Sequence, residues 1–428
     1  MLSAYRLLAP VIHRLPFPPG VLARSLAGRR GAAARWEAWA AANRGDGPLL
    51  WAHAASVGEQ QVLEPVLSRI RRARPDVRIV QTHTSPSVVT TPPPAAVCRR
   101  DYLPWDEPAS IAGTMDALAP ALLLFGRGDL WPELVASAAA RGVPVAVAGA
   151  TVRADSARLR TPVRLVLHNA YRPVSWLGAA TAADAERWSR LGVPVARIVV
   201  TGDPRHDRIL ERTADLGPGA AVRAWAGDAP VLVAGSVEPG DDGVLAAAIG
   251  TLVRAAADIR VVVVPHDVSA KRLATCRSAL EARSIATLAW EGPPGVIPEG
   301  HVAIVAAWGL LTDLYLGADL AYVGGGFRRG GLHAVAEPAA VGLPVIVGPR
   351  WQGAADADAM VSHGGAVPLP PGDAAAALAR IVSELAAAPA ERARRGLAAR
   401  ATLAGGASRA TADAVLALLV GRPPTMNG

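Results

Sequence analysis

Lysine is almost missing from this 428-residue chain: Lys271 is the only one among 44 basic residues. With 42 glycines, 36 prolines and abundant alanine, the preference for arginine reads as the codon usage of a GC-rich genome. The net charge of +8 is therefore no argument for a nucleic-acid partner, and none is expected. Cysteine is scarce too. Cys98 and Cys276 stand far apart, without the CxxC spacing of a zinc site and too few for a disulfide framework, which points to a reducing compartment. No uncharged apolar run reaches the roughly 18 to 20 residues that a membrane-spanning helix needs, and no long apolar core leads into a secretory cleavage site. No segment fits GxxxxGK[ST], and no GxGxxG follows the first strand pattern, so neither an ATPase P-loop nor a dehydrogenase fingerprint is present.

What the chain does have is a 51% hydrophobic composition, enough for two cores of ordinary size. From residue 48, short β-rich runs alternate with longer segments of helical period: PLLWAHA, VRIVQTH, ALLLFG and VPVAVAG, separated by stretches such as QQVLEPVLSRIRRA. A second series starts near residue 230, with APVLVAGS, IRVVVVPH, HVAIVAAW, DLAYVGGG and LPVIVGP. Continuous apolar strands alternating with helices predict parallel sheets covered on both faces, hence an α/β chain of two doubly wound domains facing a central cleft. The boundary is placed in the Gly- and Pro-containing segment after IVVTGDPRHDRIL, giving domains 1–215 and 216–428. The Ala-, Leu- and Arg-rich tail from about residue 372 to 421 reads as helices able to pack back across both domains, and TSPSVVTTPPP as a surface loop. Ahead of the first strand, short apolar runs carry Arg6, Arg14, Arg24, Arg29 and Arg30 with no acid before Glu37. Such a segment can lie on an anionic membrane or pack as a first helix with its arginines in water.

Ligands of open α/β sheets bind beyond the carboxyl ends of the strands, so the polar strand ends are the candidate site. In WAHAASVGEQQ, Ser56 and Gly58 make the turn and Glu59 falls in the first turn of a helix, where it can accept a proton from a hydroxyl or simply cap the helix. The helix dipole at that position is expected to lower its pKa. In GRGDLWPEL, Arg127 and Asp129 can meet substrate, or Asp129 can cap the helix that Pro132 opens. GDPRHDRIL offers Asp203, Arg205, His206 and Asp207, or a hinge with local salt bridges. In the second series, GSVEPGDD offers backbone N–H groups to an anion, and PHDVSAKR puts His266 and Arg272 at the same edge. Gly309 and Leu310 start a helix. Glycines 324–326, 330 and 331 allow close backbone approach beside Arg328, Arg329 and His333, and Glu337 is suited to the two hydroxyls of a ribose.

Taken in order, HAASVGE, YLPWD, DLWPEL, AADAERWSRLGV, TGDPRHDRI, PHDVSAKR, GLLTDLYLGADLAYVGGGF and GGLHAVAEPAAVGLPVIVGP resemble the 3-deoxy-D-manno-octulosonic acid (Kdo) transferases over roughly residues 50–350. The resemblance implies a GT-B fold, an acceptor-binding first domain with a membrane-proximal basic N-terminus, and a donor-binding second domain. It also implies inverting transfer of Kdo from CMP-Kdo, or a related nucleotide sugar, to a lipid A precursor in lipopolysaccharide biosynthesis. The enzyme would work at the cytoplasmic face of the inner membrane, peripherally or anchored by its N-terminus, with no metal and no cofactor. Glu59 would be the general base. Ser56, Gly58, Arg127 and Asp129 would meet the acceptor, and His266, Gly309, Leu310, Gly325, Gly326, Arg328, His333 and Glu337 the donor. The chain departs from the family pattern where Arg127-Gly128-Asp129 replaces an ExE element and where Ala334 replaces an Asn. Those departures leave open a glycosyltransferase with another nucleotide sugar, or a catalytically weak binding paralogue.

Overall fold

A computed structural model describes residues 5–6, 20–161, 163–214, 217–255, 257–291, 297–298, 300–328 and 331–424. Of the predicted functional residues, Arg14, Arg329 and Gly330 lie outside these, as does most of the segment before residue 20. The described residues form two compact units. One runs up to Arg208 and takes in the residues from Ala404 onward; the other is Ile209–Leu403.

In the first unit the strands are β1 Leu49–His53, β2 Arg78–His83, β3 Arg99–Tyr102, β4 Leu122–Gly126, β5 Val145–Ala150, β6 Trp176–Ala179 and β7 Ile198–Val200. All neighbours run parallel, in the order β3-β2-β1-β4-β5-β6-β7. Every residue of β1, β4 and β5 is buried, which is why these strands read as continuous apolar runs instead of alternating ones. The order reverses between β1 and β4, with Leu50 opposite both Ile79 and Leu122, so the loops leaving these two strands diverge to opposite faces and open a crevice. One face of the sheet is closed by the helix Val57–Ala73, whose Val62, Leu63, Val66, Leu67 and Ile70 are buried in one stripe at helical spacing.

The last helix, Ala407–Leu419, completes that same layer with Ala412, Ala414 and Val415. Asp207 accepts from the N–H groups of Gly406 and Ser408, and Arg69 Nε donates to Ser408 Oγ at 2.8 Å. Residues from 404 on thus belong with the first unit by contact, whereas the sequence reading carried the second domain to residue 428 and drew its line at 215.

The second unit contains β8 Val231–Val237, β9 Arg260–Pro265, β10 Ala286–Trp290, β11 His301–Val305, β12 Leu320–Val323, β13 Val345–Val347 and β14 Ala366–Pro368. These too are parallel, ordered β10-β11-β9-β8-β12-β13-β14, and the order reverses between β8 and β12. The helix Asp242–Arg254 packs Leu245, Ile249 and Leu252 on one face of this sheet beside Leu378 and Val382 of Ala374–Ala387. Val222, Leu314 and Tyr315 cover the other face. Two parallel seven-stranded α/β sheets are the GT-B architecture that the sequence reading expects.

No described helix is long and apolar enough to cross a membrane. Arg29, expected among the solvent-facing arginines, is 5% exposed: it donates to the carbonyls of Leu103 and Pro104 and lies between the rings of Trp105 and Trp131. Arg6 pairs with Glu133. Val21, Leu22, Arg24 and Arg30 are exposed.

Candidate active site

At the β1/β4 reversal of the first unit the chain opens a cleft of about 660 Å³, lined by Ser56, Glu59, Arg127, Asp129, Arg153 and Arg158 among others. Ser56 leaves β1 in extended conformation and stands immediately before the helix Val57–Ala73. Its N–H donates to Glu59 Oε2 at 3.3 Å, so Glu59 closes the return half of a capping box. Gly58, in the first turn of that helix, is exposed and does not line the cleft.

A carboxylate in this position is expected to be more acidic than usual, and Glu59 is not. Burial and then the neighbouring Asp129 charge raise its pKa to about 7, outweighing the Ala55 and Ser56 N–H groups and Arg127, which favour the charged form. Capping and proton acceptance are therefore compatible roles: the cap orients the carboxylate while loss of solvent makes it a base matched to neutral pH.

Asp129 does not cap the following helix. That helix, Pro132–Ala140, starts after Trp131, and its free Glu133 and Leu134 N–H groups both donate to Asp106 at 3.0 Å. Asp129 instead turns to the cleft side of β1: Trp131 Nε1 donates to it at 3.2 Å, and His53 Nε2 lies 3.8 Å away. Burial pushes the Asp129 pKa up, but His53, Trp131 and Arg158 together hold it below the usual carboxylate value. Beside the raised Glu59, the cleft thus holds two carboxyl groups with opposite titration behaviour.

The loop that presents Arg127 and Asp129 is strained. Arg127 has φ 56° and Gly128 φ 131°. A Cβ at Gly128 would come 2.2 Å from the Trp188 ring, so only glycine fits. Arg158 braces the loop by donating to the Gly128 carbonyl at 2.7 Å and stacking on Trp188. Arg127 reaches Asp203 at 3.4 Å, and Asp203 also takes a bidentate pair from Arg205. GDPRHDRIL therefore supplies local salt bridges, the plainer of its two readings. Arg153, Arg158, Thr84 and Ser85 line the cleft without having been singled out from sequence. Arg153 and Arg158 lie in the segment after β5, so the strand-end rule is the available signal, and Thr84 and Ser85 belong to the loop read as surface.

In the second unit, the β8/β12 reversal collects a second set. Asp241, fully buried, accepts from Glu238 N–H at 2.8 Å, Gly325 N–H at 2.9 Å and Tyr322 Oη at 2.8 Å. The Glu238 N–H, in the segment expected to offer such groups to an anion, is thereby satisfied by the chain's own carboxylate, as is that of Gly325. His266 N–H donates to Val237 O and His333 N–H to Gly324 O, which fixes both histidines beside these loops. Their rings stack at 4.1 Å, and His333 Nε2 meets Glu238 Oε1 at 2.9 Å. Arg328 pairs with the same oxygen at 3.1 Å. Burial, followed by the neighbouring His333, keeps the His266 pKa below its usual value.

Gly325 has φ 93°, whereas Gly326 is glycine because a Cβ would meet Gly348 backbone at 2.6 Å. Gly309, at φ 88°, and Leu310 precede the short helix Leu311–Leu316, and Thr312 Oγ1 on that helix donates to Glu337 Oε2 at 3.2 Å. Glu337 lies in the first turn of Ala336–Val341. Arg272 does not reach the edge: it is 7% exposed and makes a bidentate pair with Asp242. Glu238 and Asp241, which hold the set together, were not singled out because their roles depend on contacts some 84 residues away, as between Asp241 and Gly325.

Paired parallel sheets with polar strand ends at each reversal make the GT-B fold. A solved glycosyltransferase from Rickettsia africae ESF-5 has this fold, with a TM-score of 0.61 at 10% identity, covering 88% of this chain and 99% of its own. The profile described as 3-Deoxy-D-manno-octulosonic-acid transferase (kdotransferase) matches residues 25–208. A 3-deoxy-D-manno-octulosonic acid transferase of Bordetella pertussis is 32% identical over 413 residues, covering 90% of this chain and 93% of the relative. The Chlamydophila psittaci protein of the same name is 30% identical over 341 residues, covering 75% and 74%. The chain belongs to the Kdo transferase family.

Proposed function

We propose that this chain transfers Kdo from CMP-Kdo to a hydroxyl of a lipid A precursor in lipopolysaccharide biosynthesis, by direct displacement with inversion. The observation that carries the mechanism is Glu59, a carboxyl raised to about 7 at the head of a cleft and oriented by backbone N–H groups. Its carboxylate takes the proton of the acceptor hydroxyl as that oxygen bonds to the anomeric carbon of Kdo; the bond from that carbon to CMP breaks, and CMP leaves with the electron pair. Arg127, Arg153 and Arg158 suit an acceptor that carries anionic groups, and Asp129 one that carries hydroxyls.

The second unit is the donor side of this reading. His266, His333 and Arg328 supply donors for the donor's phosphate and carboxylate, Gly325, Gly309 and Leu310 close backbone approach, and Glu337 an acceptor for ribose hydroxyls. The exposed Val21, Leu22, Arg24 and Arg30 support a peripheral seat on the anionic inner-membrane surface. The test incubates purified protein with CMP-Kdo and a tetraacylated disaccharide lipid in anionic vesicles. Transfer by the wild type, its loss by about 100-fold or more in Glu59→Gln, and a rate that falls with added salt are expected. Undiminished transfer by Glu59→Gln would sink the mechanism; a salt-independent rate would sink the membrane seat.

A further inference from the structure

We propose that Glu238, His266 and His333 form a binding site for a first-row divalent cation of the zinc type. One carboxylate oxygen and one nitrogen of each ring all lie within 4.8 Å of one another. They come from three separate segments: the loop after β8, the end of β9 and the loop after β12. Two imidazoles and one carboxylate are the donor set that binds zinc, iron or cobalt while leaving positions open for an outside ligand. Magnesium, which seeks oxygen donors, is poorly matched to it.

The scaffold under the three donors is rigid. Asp241 ties the Glu238 backbone to the Gly325 backbone through one buried carboxylate, and Tyr322 holds that carboxylate from below. His266 and His333 are each anchored by a main-chain bond to the adjoining strand end or loop. The contact between His333 Nε2 and Glu238 Oε1, at 2.9 Å, is a hydrogen bond whose bridging proton the ion would replace as the pair opens slightly. A tetrahedral site with bonds near 2.0–2.1 Å has ligands about 3.3 Å apart. The widest pair of the cluster therefore has to close, and the movable member is His266, whose ring is exposed and needs only to turn out of its stack on His333. Arg328, on the same carboxylate oxygen, is itself 44% exposed and free to swing toward solvent as the ion takes its place.

The family pattern implies no metal, and the site shares His266 and His333 with the donor side of the reading above, while no step of that transfer runs through the ion. The site is tested without nucleotide or acceptor, and its failure leaves the transferase reading standing. The metal-stripped full chain is titrated calorimetrically with zinc chloride and, in parallel, with cobalt chloride while visible absorption is recorded. One saturable equivalent is expected, with the cobalt bands of a low-coordinate nitrogen and oxygen site. Affinity should fall at least about tenfold in Glu238→Gln and in His266→Ala, and stay unchanged in His168→Ala, an exposed histidine of the first unit. Circular dichroism of each metal-free variant confirms the fold; should Glu238→Gln fail to fold, His266→Ala decides alone, since its ring is at the surface. No saturable binding by the wild type, or wild-type affinity in His266→Ala, would overturn the proposal.

Discussion

Two opposed influences meet at Glu59: the helix N-terminus favours its charge, while burial and Asp129 oppose it and prevail. Activity should therefore rise with pH along a limb centred near pH 7, where the carboxyl loses its proton. Asp129→Asn removes the charge that raises the Glu59 pKa and should move that limb to lower pH, whatever it does to the maximum rate; a kcat/KM profile reads the shift. Stability runs the other way. Between the ordinary value of 4.5 and about 7 the folded chain holds a proton that the unfolded chain releases, so Glu59 makes the fold less stable as pH rises through that window. Glu59→Gln should flatten this slope in urea titrations. In the sequence Gly128 stands out only as part of a departure from the family pattern, because nothing local reveals Trp188 behind it. With its positive φ and a 2.2 Å clash awaiting any Cβ, Gly128→Ala should cost about 2–4 kcal/mol, measured as a lowered urea midpoint.

At the scale of elements, legibility follows burial. The fully buried strands β1, β4 and β5 were plain in the sequence because both their faces are apolar. The edge strands β3, β10 and β14 were not singled out. All four residues of β3 are half-exposed, β10 has only Trp290 fully buried, and β14 has three residues, so none makes an apolar run. The short β6 was missed although it is buried, since WLGA is too brief to show a period. The last helix was legible as a helix but not in its destination, which rests on Asp207, a residue the sequence reading weighed for substrate. Asp207→Ala would leave the Gly406 and Ser408 N–H groups without their acceptor. It should loosen Ala407–Leu419 by about 1–3 kcal/mol, seen as faster amide hydrogen exchange across that helix with little change in the helix Val57–Ala73 beneath its free end.

For the molecule as a whole, the two-unit plan could be read from the two series of strands, and most of the site from the rule that ligands gather at strand ends. What could not be read was which polar residues serve the chain itself. Asp106, Asp241 and Arg272 stand in segments that match the family pattern or follow a strand end, and they spend their hydrogen bonds on caps, loops and a buried ion pair. The units also differ in continuity. A fragment of residues 209–403 contains a whole sheet and both its helical layers, and should give a cooperative thermal transition by circular dichroism. Residues 1–208 alone should not, until 404–424 is restored by a linker or added as a peptide.

That discontinuity sets an order of events during synthesis. The ribosome releases every residue of the second unit before it releases Ala407–Leu419, so the unit begun first is the one finished last. Until then the faces of Val62, Val66 and the neighbouring strands that the helix will cover stay wet and sticky. A chain released after Leu403 would be a natural client for chaperones that recognise apolar surface, although every residue of its second unit is present.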